Sequence, residues 1–410
     1  MTLNIDQQKA LDELLEFVTG SSEQVHVLRG SAGTGKTFLI KELLLKLEQQ
    51  FQLLKSLGSP YIHWKPILTA TTHKAAEALS NATNSPVTTV HSHFDLIVRN
   101  DFKNNTTSLT RRKNAHTHHE ELIIVDESSY IDEDLREYII EGSKTCKVIF
   151  MGDHAQLTPV GCNYSPVFDA DYPESTLTII ERQENPDLKD ACEAFRAHVL
   201  GAKFPDVDLV PGIIEQLSGD DFKALMLTEF QRPDWNYYDS KYIAWTNQVV
   251  IGCNNFVRSN MHGSHEFRVG DYAINNKSIS NNSSQLKPDQ TVLISDIYPD
   301  SHEYGVLGNQ VMLDGKHSFF LPKDVSQIKT MIEKYTKEGD IYKARAITET
   351  WVDLRAAYAC TVNKSQGSTF DTVFLDLGNI NLCRDKDLKA RLLYVAFSRA
   401  RKKVIITGNF

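Results

Sequence analysis

Residues 28–40 read LRGSAGTGKTFLI: an apolar run, then Gly30-x-x-x-x-Gly35-Lys36-Thr37, then a helix-forming stretch that continues through KELLLKLEQQF. Nothing else in the 410-residue chain constrains the fold as strongly. The glycines let successive backbone N–H groups converge, the helix N-terminus adds a favourable dipole, Lys36 brings positive charge and Thr37 offers a hydroxyl to Mg²⁺. A strand before and a helix after are the setting that a phosphate-binding loop requires. Gly30, Ser31, Ala32, Gly33, Thr34, Gly35, Lys36 and Thr37 are therefore the expected cradle for nucleotide phosphates. A glycine-rich turn with no ligand would not call for Lys-Thr at those two places.

Such a unit belongs in a parallel sheet, and the remaining sequence keeps that rhythm. Apolar runs recur at VHVL (25–28), PILTA (66–70), LIIVD (122–126), KVIFMG (147–152), YIAWT (242–246), TVFLDL (372–377) and KVIITG (403–408), separated by helical stretches. The fold class expected is α/β, with parallel sheets covered by helices. Two segments break the rhythm. Residues 99–121 are polar and helix-poor, reading as a protruding hairpin or loop, and residues 267–322 carry short strands between Asn/Ser/Gly turns, reading as a small antiparallel barrel. The charged stretch 324–350 reads as helical.

With 41% hydrophobic and 24% charged residues, a wholly disordered chain is excluded. No apolar run reaches the ~18 residues that suggest a bilayer span. The N-terminal MTLNIDQQKALDELL lacks the basic start and apolar core of a secretory signal, so no membrane and a cytoplasmic location are expected. Six cysteines stand far apart without metal-ligand spacing and read as reduced and structural. The net charge of -9 does not exclude nucleic acid, because local basic strips can hold a phosphate backbone on an acidic molecule.

The run Leu122–Val125 delivers Asp126-Glu127 to the C-terminal end of a buried strand, where open α/β sheets bind ligands. Asp126 is the expected Mg²⁺ ligand beside Thr37, and Glu127 the residue that polarises an attacking water. A second strand delivers Gly152-Asp153-x-x-Gln156, whose amide could sense the γ-phosphate or occupy a turn. Phosphoryl transfer develops charge that one lysine and one metal neutralise only in part, and arginines contribute ~10³–10⁵ in rate in such sites. Arg182 and Arg399 are the candidates.

Two turns share one design, an apolar strand followed by Thr or Asn at a helix start: Thr71-Thr72-His73 and Thr246-Asn247. Helix N-termini and hydroxyls grip phosphates without reading sequence, although each such residue alone more often caps its own helix. Phe94, Phe102, Trp245 and Trp351 are candidate base-stacking platforms, although an aromatic is more often core than platform. His116-x-His118-His119 has no second ligand pair at regular spacing and reads as a solvated loop.

Taken in order, GSAGTGKT, TATTHKAA, TVHSHF, IIVDESSY, GDHAQLTPV, ERQ, TVNKSQGSTFD and YVAFSRA resemble the motif series of superfamily 1 helicases, in their RecD-like, 5′-to-3′ branch, from Gln7 to Arg399. The resemblance implies two RecA-like domains, residues 1–184 and residues 185–266 with 351–410, with ATP in the cleft between them. It implies a pin-like insert at 95–121 and an SH3-like barrel with a helical extension at 267–350. By the same resemblance Arg182 and Arg399 reach the γ-phosphate, Gln7 reads the adenine edge and Gly367 lies near the nucleotide. His91, Lys364 and Ser365 gain a strand-contact role from their motifs. The implied activity is an ATP- and Mg²⁺-dependent DNA helicase. Its implied partners are single-stranded and forked duplex DNA, with a single-strand-binding protein or replisome component as a further one, and it would act as a monomer. A P-loop ATPase or kinase without unwinding activity, and a nucleic-acid-binding module with a vestigial nucleotide site, stay open as alternatives.

Overall fold

Each of the seven apolar runs falls on a strand in the computed structural model, which describes residues 3–58, 62–101, 106–159, 162, 164–183, 185–281 and 284–410. The chain divides into two units. The first comprises Met1–Ile214, Gln366–Thr369 and Cys383–Lys403, and the second comprises Glu215–Ser365, Phe370–Leu382 and Val404–Phe410.

A six-stranded sheet in the order Val87–Thr89, Lys65–Ala70, His119–Asp126, Thr145–Gly152, Val25–Gly30, Glu174–Leu177 forms the frame of the first unit. Every pairing in it is parallel. Parallel strands need helical crossovers that cover the sheet, so strand residues are buried on both faces. Leu122 and Ile124 point into one apolar cluster with Leu28, Ile149 and Met151, while Ile123 and Val125 point into the other with Val27, Val148 and Phe150. That two-sided burial is why LIIV is an unbroken apolar run rather than an alternating one. Parallel pairing also brings all the C-terminal strand ends to one edge, from which the phosphate loop, Thr71, Asp126-Glu127 and Asp153 emerge.

Helix Pro186–Val199 and helix Lys386–Ser398 pack on each other in the first unit, with the Phe195 and Phe397 rings 5.3 Å apart. Gln183 Nε2 donates to the carbonyls of Phe397 and Ala400 at 3.3 and 3.0 Å. Between helix Val90–His93 and strand His119–Asp126 the chain makes an antiparallel hairpin, Leu96–Asp101 against Thr106–Arg111, with Leu96 opposite Arg111.

The second unit carries most of a five-stranded sheet in the order Ala359–Thr361, Ser240–Ala244, Phe370–Asp376, Ala400–Thr407, Ile214–Leu217, with the first three strands parallel. Its core gathers Phe222, Phe230, Tyr242, Val257, Tyr358 and Phe374. A second sheet runs His317–Pro322, Val306–Leu313, Thr291–Glu303, Tyr272–Asn275, Leu354–Ala356, antiparallel throughout. A bridge between Phe320 and Trp351, with Val352 N donating to Phe320 O at 2.9 Å, brings the two ends of that order together. The charged stretch after it forms helices Ser326–Lys337 and Ile341–Thr350. None of the six cysteines is in a disulfide. Among the described residues no helix is long and apolar enough to cross a membrane.

Candidate nucleotide site and strand contacts

The loop after strand Val25–Gly30 turns through Gly33 at φ 89° and Gly35 at φ 84°, a left-handed region that only glycine enters without cost. Space is as restrictive as conformation. A Cβ on Gly33 would stand 2.6 Å from Arg182 Cβ, and one on Gly35 would stand 2.5 Å from Gln7 Nε2. The loop is held from three sides. Gly33 O accepts the backbone N–H groups of Glu181 and Arg182 at 2.8 and 3.1 Å, Gln7 Nε2 donates to Thr34 O at 3.0 Å, and Ala32 N donates to the Tyr394 hydroxyl at 2.8 Å. Gln7 Oε1 accepts from Asn4 N, closing a capping box on helix Ile5–Thr19.

A pocket of about 490 Å³ opens over this loop, lined among others by Lys36, Thr37, Asp126, Glu127, Gln156, Arg182, Gly367 and Arg399. Residues far apart in sequence thus meet at one cavity, all of them within the first unit. Lys36 Nζ donates to the carbonyls of Gly30 and Ser31 at 2.7 and 3.0 Å. Its enclosure lowers the Lys36 pKa, against the pull of Asp153, Glu127 and Asp126. Asp126 is pushed up to about 7, first by enclosure and then by the charge of Glu127. Glu127 itself stands at φ 53°, a left-handed conformation that costs a non-glycine residue and clusters at functional sites.

The two arginines differ in setting. Arg399 is buried, its guanidinium donating to Ser398 Oγ at 2.8 Å, Val395 O at 3.1 Å and Ser368 O at 3.3 Å, and burial lowers its pKa. Arg182 lies at the exposed rim; crowding by surrounding protein and then the like charge of Arg399 lower its pKa to about 10. Lys36, Arg182 and Arg399 around one cavity form a cationic cluster suited to a polyanion.

Several site residues escape a reading of motifs one at a time. Tyr394, in the helix that ends at Ser398, donates its hydroxyl proton to Asp153 Oδ2 while accepting from Ala32 N, and so ties the phosphate loop to the Gly152-Asp153 turn. Gln366 Nε2 donates to Gln156 Oε1 at 2.9 Å, fixing the Gln156 amide. Arg391 donates to the carbonyls of His154 and Gln156, both at 2.6 Å. A polar tip inside the apolar run Leu392–Phe397 was the available signal for Tyr394.

The expected strand-contact residues divide. Thr72 caps helix His73–Thr83, accepting from Ala75 N at 3.1 Å, whereas Thr71 Oγ1 donates to Glu127 O at 3.0 Å and Thr71 N to Asp126 O at 3.2 Å. This turn is therefore bonded directly to the Asp126-Glu127 pair. His91 lies half-buried in helix Val90–His93, where burial lowers its pKa. In the second unit Thr246 precedes helix Asn247–His262 without capping it; Asn379 instead accepts from the backbone of Trp245 and Thr246 and donates to Thr246 Oγ1 at 3.0 Å. Lys364 Nζ bonds Asp289 at 2.7 Å and Asn276 at 3.1 Å. Ser365 is fully buried, its hydroxyl donating to Val362 O, so the side chain has an internal role rather than a surface one.

Two stacking candidates are corrected. Phe94 is fully buried, wedged against Gly142, and Trp351 is fully buried with its indole N–H on Glu303 Oε2 at 2.7 Å, so both rings belong to cores. Trp245 is half-buried, and Phe102 lies outside the described residues. The histidine cluster also departs from a solvated loop: His116 and His119 are exposed, but His118 is buried against Phe94 and His93.

Comparison with known proteins matches residues 2–205 to the AAA domain family and residues 356–407 to the UvrD-like helicase C-terminal domain. The ATP-dependent DNA helicase dda of Enterobacteria phage T4 is 24% identical over 97% of this chain and 97% of its own length. An uncharacterized protein of Acanthamoeba polyphaga mimivirus is 23% identical over 98% of this chain and 99% of its own. Among solved structures, the Pif1 helicase from Bacteroides in complex with ADP-AlF3 and ssDNA has a TM-score of 0.56 at 18% identity, covering 100% of this chain and 93% of that one. The Pif1 helicase from Candida albicans has a TM-score of 0.55 at 16% identity, covering 100% and 95%. At such identities the structural likeness is one of fold.

Proposed function

We infer that this chain, which belongs to the superfamily 1 helicases, is an ATP-dependent DNA helicase that moves along single-stranded DNA and unwinds duplex. The observation that carries the reading is the single cavity lined by Lys36, Thr37, Asp126, Glu127, Gln156, Arg182 and Arg399. The phosphate loop would take the β- and γ-phosphates on its converging N–H groups, with Lys36 neutralising their charge. Oxygen donors from Thr37 and Asp126 line the same pocket, the donor type that suits a hard divalent ion; they would hold Mg²⁺, which supplies further charge neutralisation at the phosphates. Glu127 would polarise the attacking water, and Gln156, held by Gln366, would orient it. Arg182 and Arg399 would stabilise the charge that develops on the transferring phosphoryl group. Gln7 and Gly367 complete the proposed nucleotide contacts.

Coupling to DNA has a short physical route. Thr71 bonds both carbonyls of the Asp126-Glu127 pair, so a shift at that pair is felt at the Thr71-Thr72-His73 turn. Gln366 bonds Gln156 and directly follows Lys364-Ser365 in the chain. His91, Thr246, Asn247 and Lys364 are the further contacts proposed for the strand backbone, the contacts that position without reading sequence. Ser365 would act through its backbone. Movement from 5′ to 3′ and action as a monomer on forked DNA, with single-strand-binding or replisome proteins as partners, extend the reading by the resemblance to the RecD-like branch.

ATP turnover measured with and without single-stranded DNA tests the assignment. Stimulation by DNA in the wild type, abolished in Lys36→Ala with DNA binding retained, is the expected result. Normal turnover in Lys36→Ala would remove the nucleotide site from its proposed place, and DNA-independent turnover would favour a P-loop ATPase or kinase without unwinding activity.

A further inference from the structure

At the root of the hairpin, three side chains from two elements converge. His93 ends helix Val90–His93 just before the hairpin, and after the hairpin His118 immediately precedes strand His119–Asp126, which carries Glu121 near its start. Glu121 Oε2 lies 3.1 Å from His93 Nε2 and 3.1 Å from His118 Nδ1. The two imidazole rings lie 4.2 Å apart at 34°. All three ligand atoms fall within 4.8 Å of one another.

The three ligand atoms come from both sides of the hairpin, with Glu121 Oε2 facing a ring nitrogen of each histidine. A tetrahedral Zn²⁺ with bonds of about 2.0–2.2 Å sets its ligand atoms roughly 3.4 Å apart. Two of the three pairs already stand close to that spacing. The chemistry also suits an ion of this class, since imidazole is a ligand for zinc, cobalt and nickel while hard ions prefer all-oxygen shells.

We propose that His93, His118 and Glu121 form a binding site for a divalent transition metal of the zinc type, which ties together the two ends of the chain from which the hairpin projects. Three protein ligands leave a fourth position for water. The site is separate from the residues assigned to nucleotide and does not depend on the helicase reading. Glu121 sits in the strand that ends at Asp126, so the same strand carries the metal cluster near its start and the candidate Mg²⁺ ligand at its finish.

The test is equilibrium dialysis of chelator-treated full-length protein against Zn²⁺, with Co²⁺ absorption in the visible range as a geometric readout. Asp126→Asn is run alongside to remove metal uptake at the nucleotide site. The expected result is one tightly held equivalent in both the wild type and Asp126→Asn, weakened at least about tenfold in His93→Gln and in Glu121→Gln. Bound Zn²⁺ should raise the thermal midpoint of the wild type and leave that of His93→Gln unchanged. His93→Gln, at the less buried ligand, keeps the test valid if changes at buried His118 unfold the chain; circular dichroism checks this. No equivalent retained in Asp126→Asn, or equal affinity in His93→Gln, would overturn the proposal and leave a hydrogen-bonded histidine pair.

Discussion

Replacing Tyr394 by phenylalanine removes one oxygen atom that makes two hydrogen bonds inside the first unit. The hydroxyl donates to Asp153 Oδ2 and accepts from Ala32 N at 2.8 Å. Asp153 is 1% exposed, so water cannot replace the lost donor without opening the packing. A bond to a charged group contributes about 1.5–3 kcal/mol, and leaving an amide N–H unpaired in an enclosed setting costs about 1–3 kcal/mol. Asp153 would keep Ala155 N at 3.1 Å and Arg196 at 3.5 Å, which places the total at about 2–4 kcal/mol rather than at the full sum. A chain with two units need not unfold in one step, so the unit concerned must be observed by itself. Trp64 is the one tryptophan in the residue ranges of the first unit, and it packs on the sheet core there. Fluorotryptophan labelling followed by urea titration, reading the Trp64 resonance by fluorine NMR, isolates the transition. The expected outcome is an earlier midpoint for that resonance, with the second unit's three tryptophans less affected. A loss below about 0.5 kcal/mol at Trp64 would mean that the hydroxyl does not bridge the phosphate loop and Asp153.

Two more expectations concern the nucleotide pocket. With the Asp126 pKa at about 7, protons compete with Mg²⁺, so at pH 6 roughly nine-tenths of the carboxyl is protonated and apparent Mg²⁺ affinity falls about tenfold relative to the ionised form. Mg²⁺ titrations of the ATPase at pH 6 and pH 8 measure this, and identical curves would contradict it. Gly33→Ala places a Cβ 2.6 Å from Arg182 Cβ at a positive φ, and should weaken nucleotide binding at least about tenfold in calorimetry. Unchanged affinity there would show that the loop's conformation is not what shapes the site.

Much of this fold is legible in the sequence because parallel strands announce themselves. LIIV and VIFM are buried on both faces, and continuous apolar runs are the signature of that burial. The phosphate loop was equally plain, since backbone conformation forced glycine at Gly33 and Gly35. Properties set by neighbours distant in sequence were hidden. Phe94 and Trp351 look like any exposed aromatic until the packing of Gly142 or Glu303 against them is known. His118 could not be told from its exposed neighbours His116 and His119, because its partner His93 lies on the far side of the hairpin. Asn379 organises the turn at Thr246 from over a hundred residues away, and no local pattern marks it.

The most direct test of the central claim is the unwinding of two partial duplexes that differ only in the polarity of their single-stranded tail. Strand separation with ATP and Mg²⁺ is expected on the 5′-tailed duplex, none on the 3′-tailed one, and none by Lys36→Ala on either. Separation without ATP, separation by Lys36→Ala, or none on either substrate by a wild-type protein that hydrolyses ATP would contradict it.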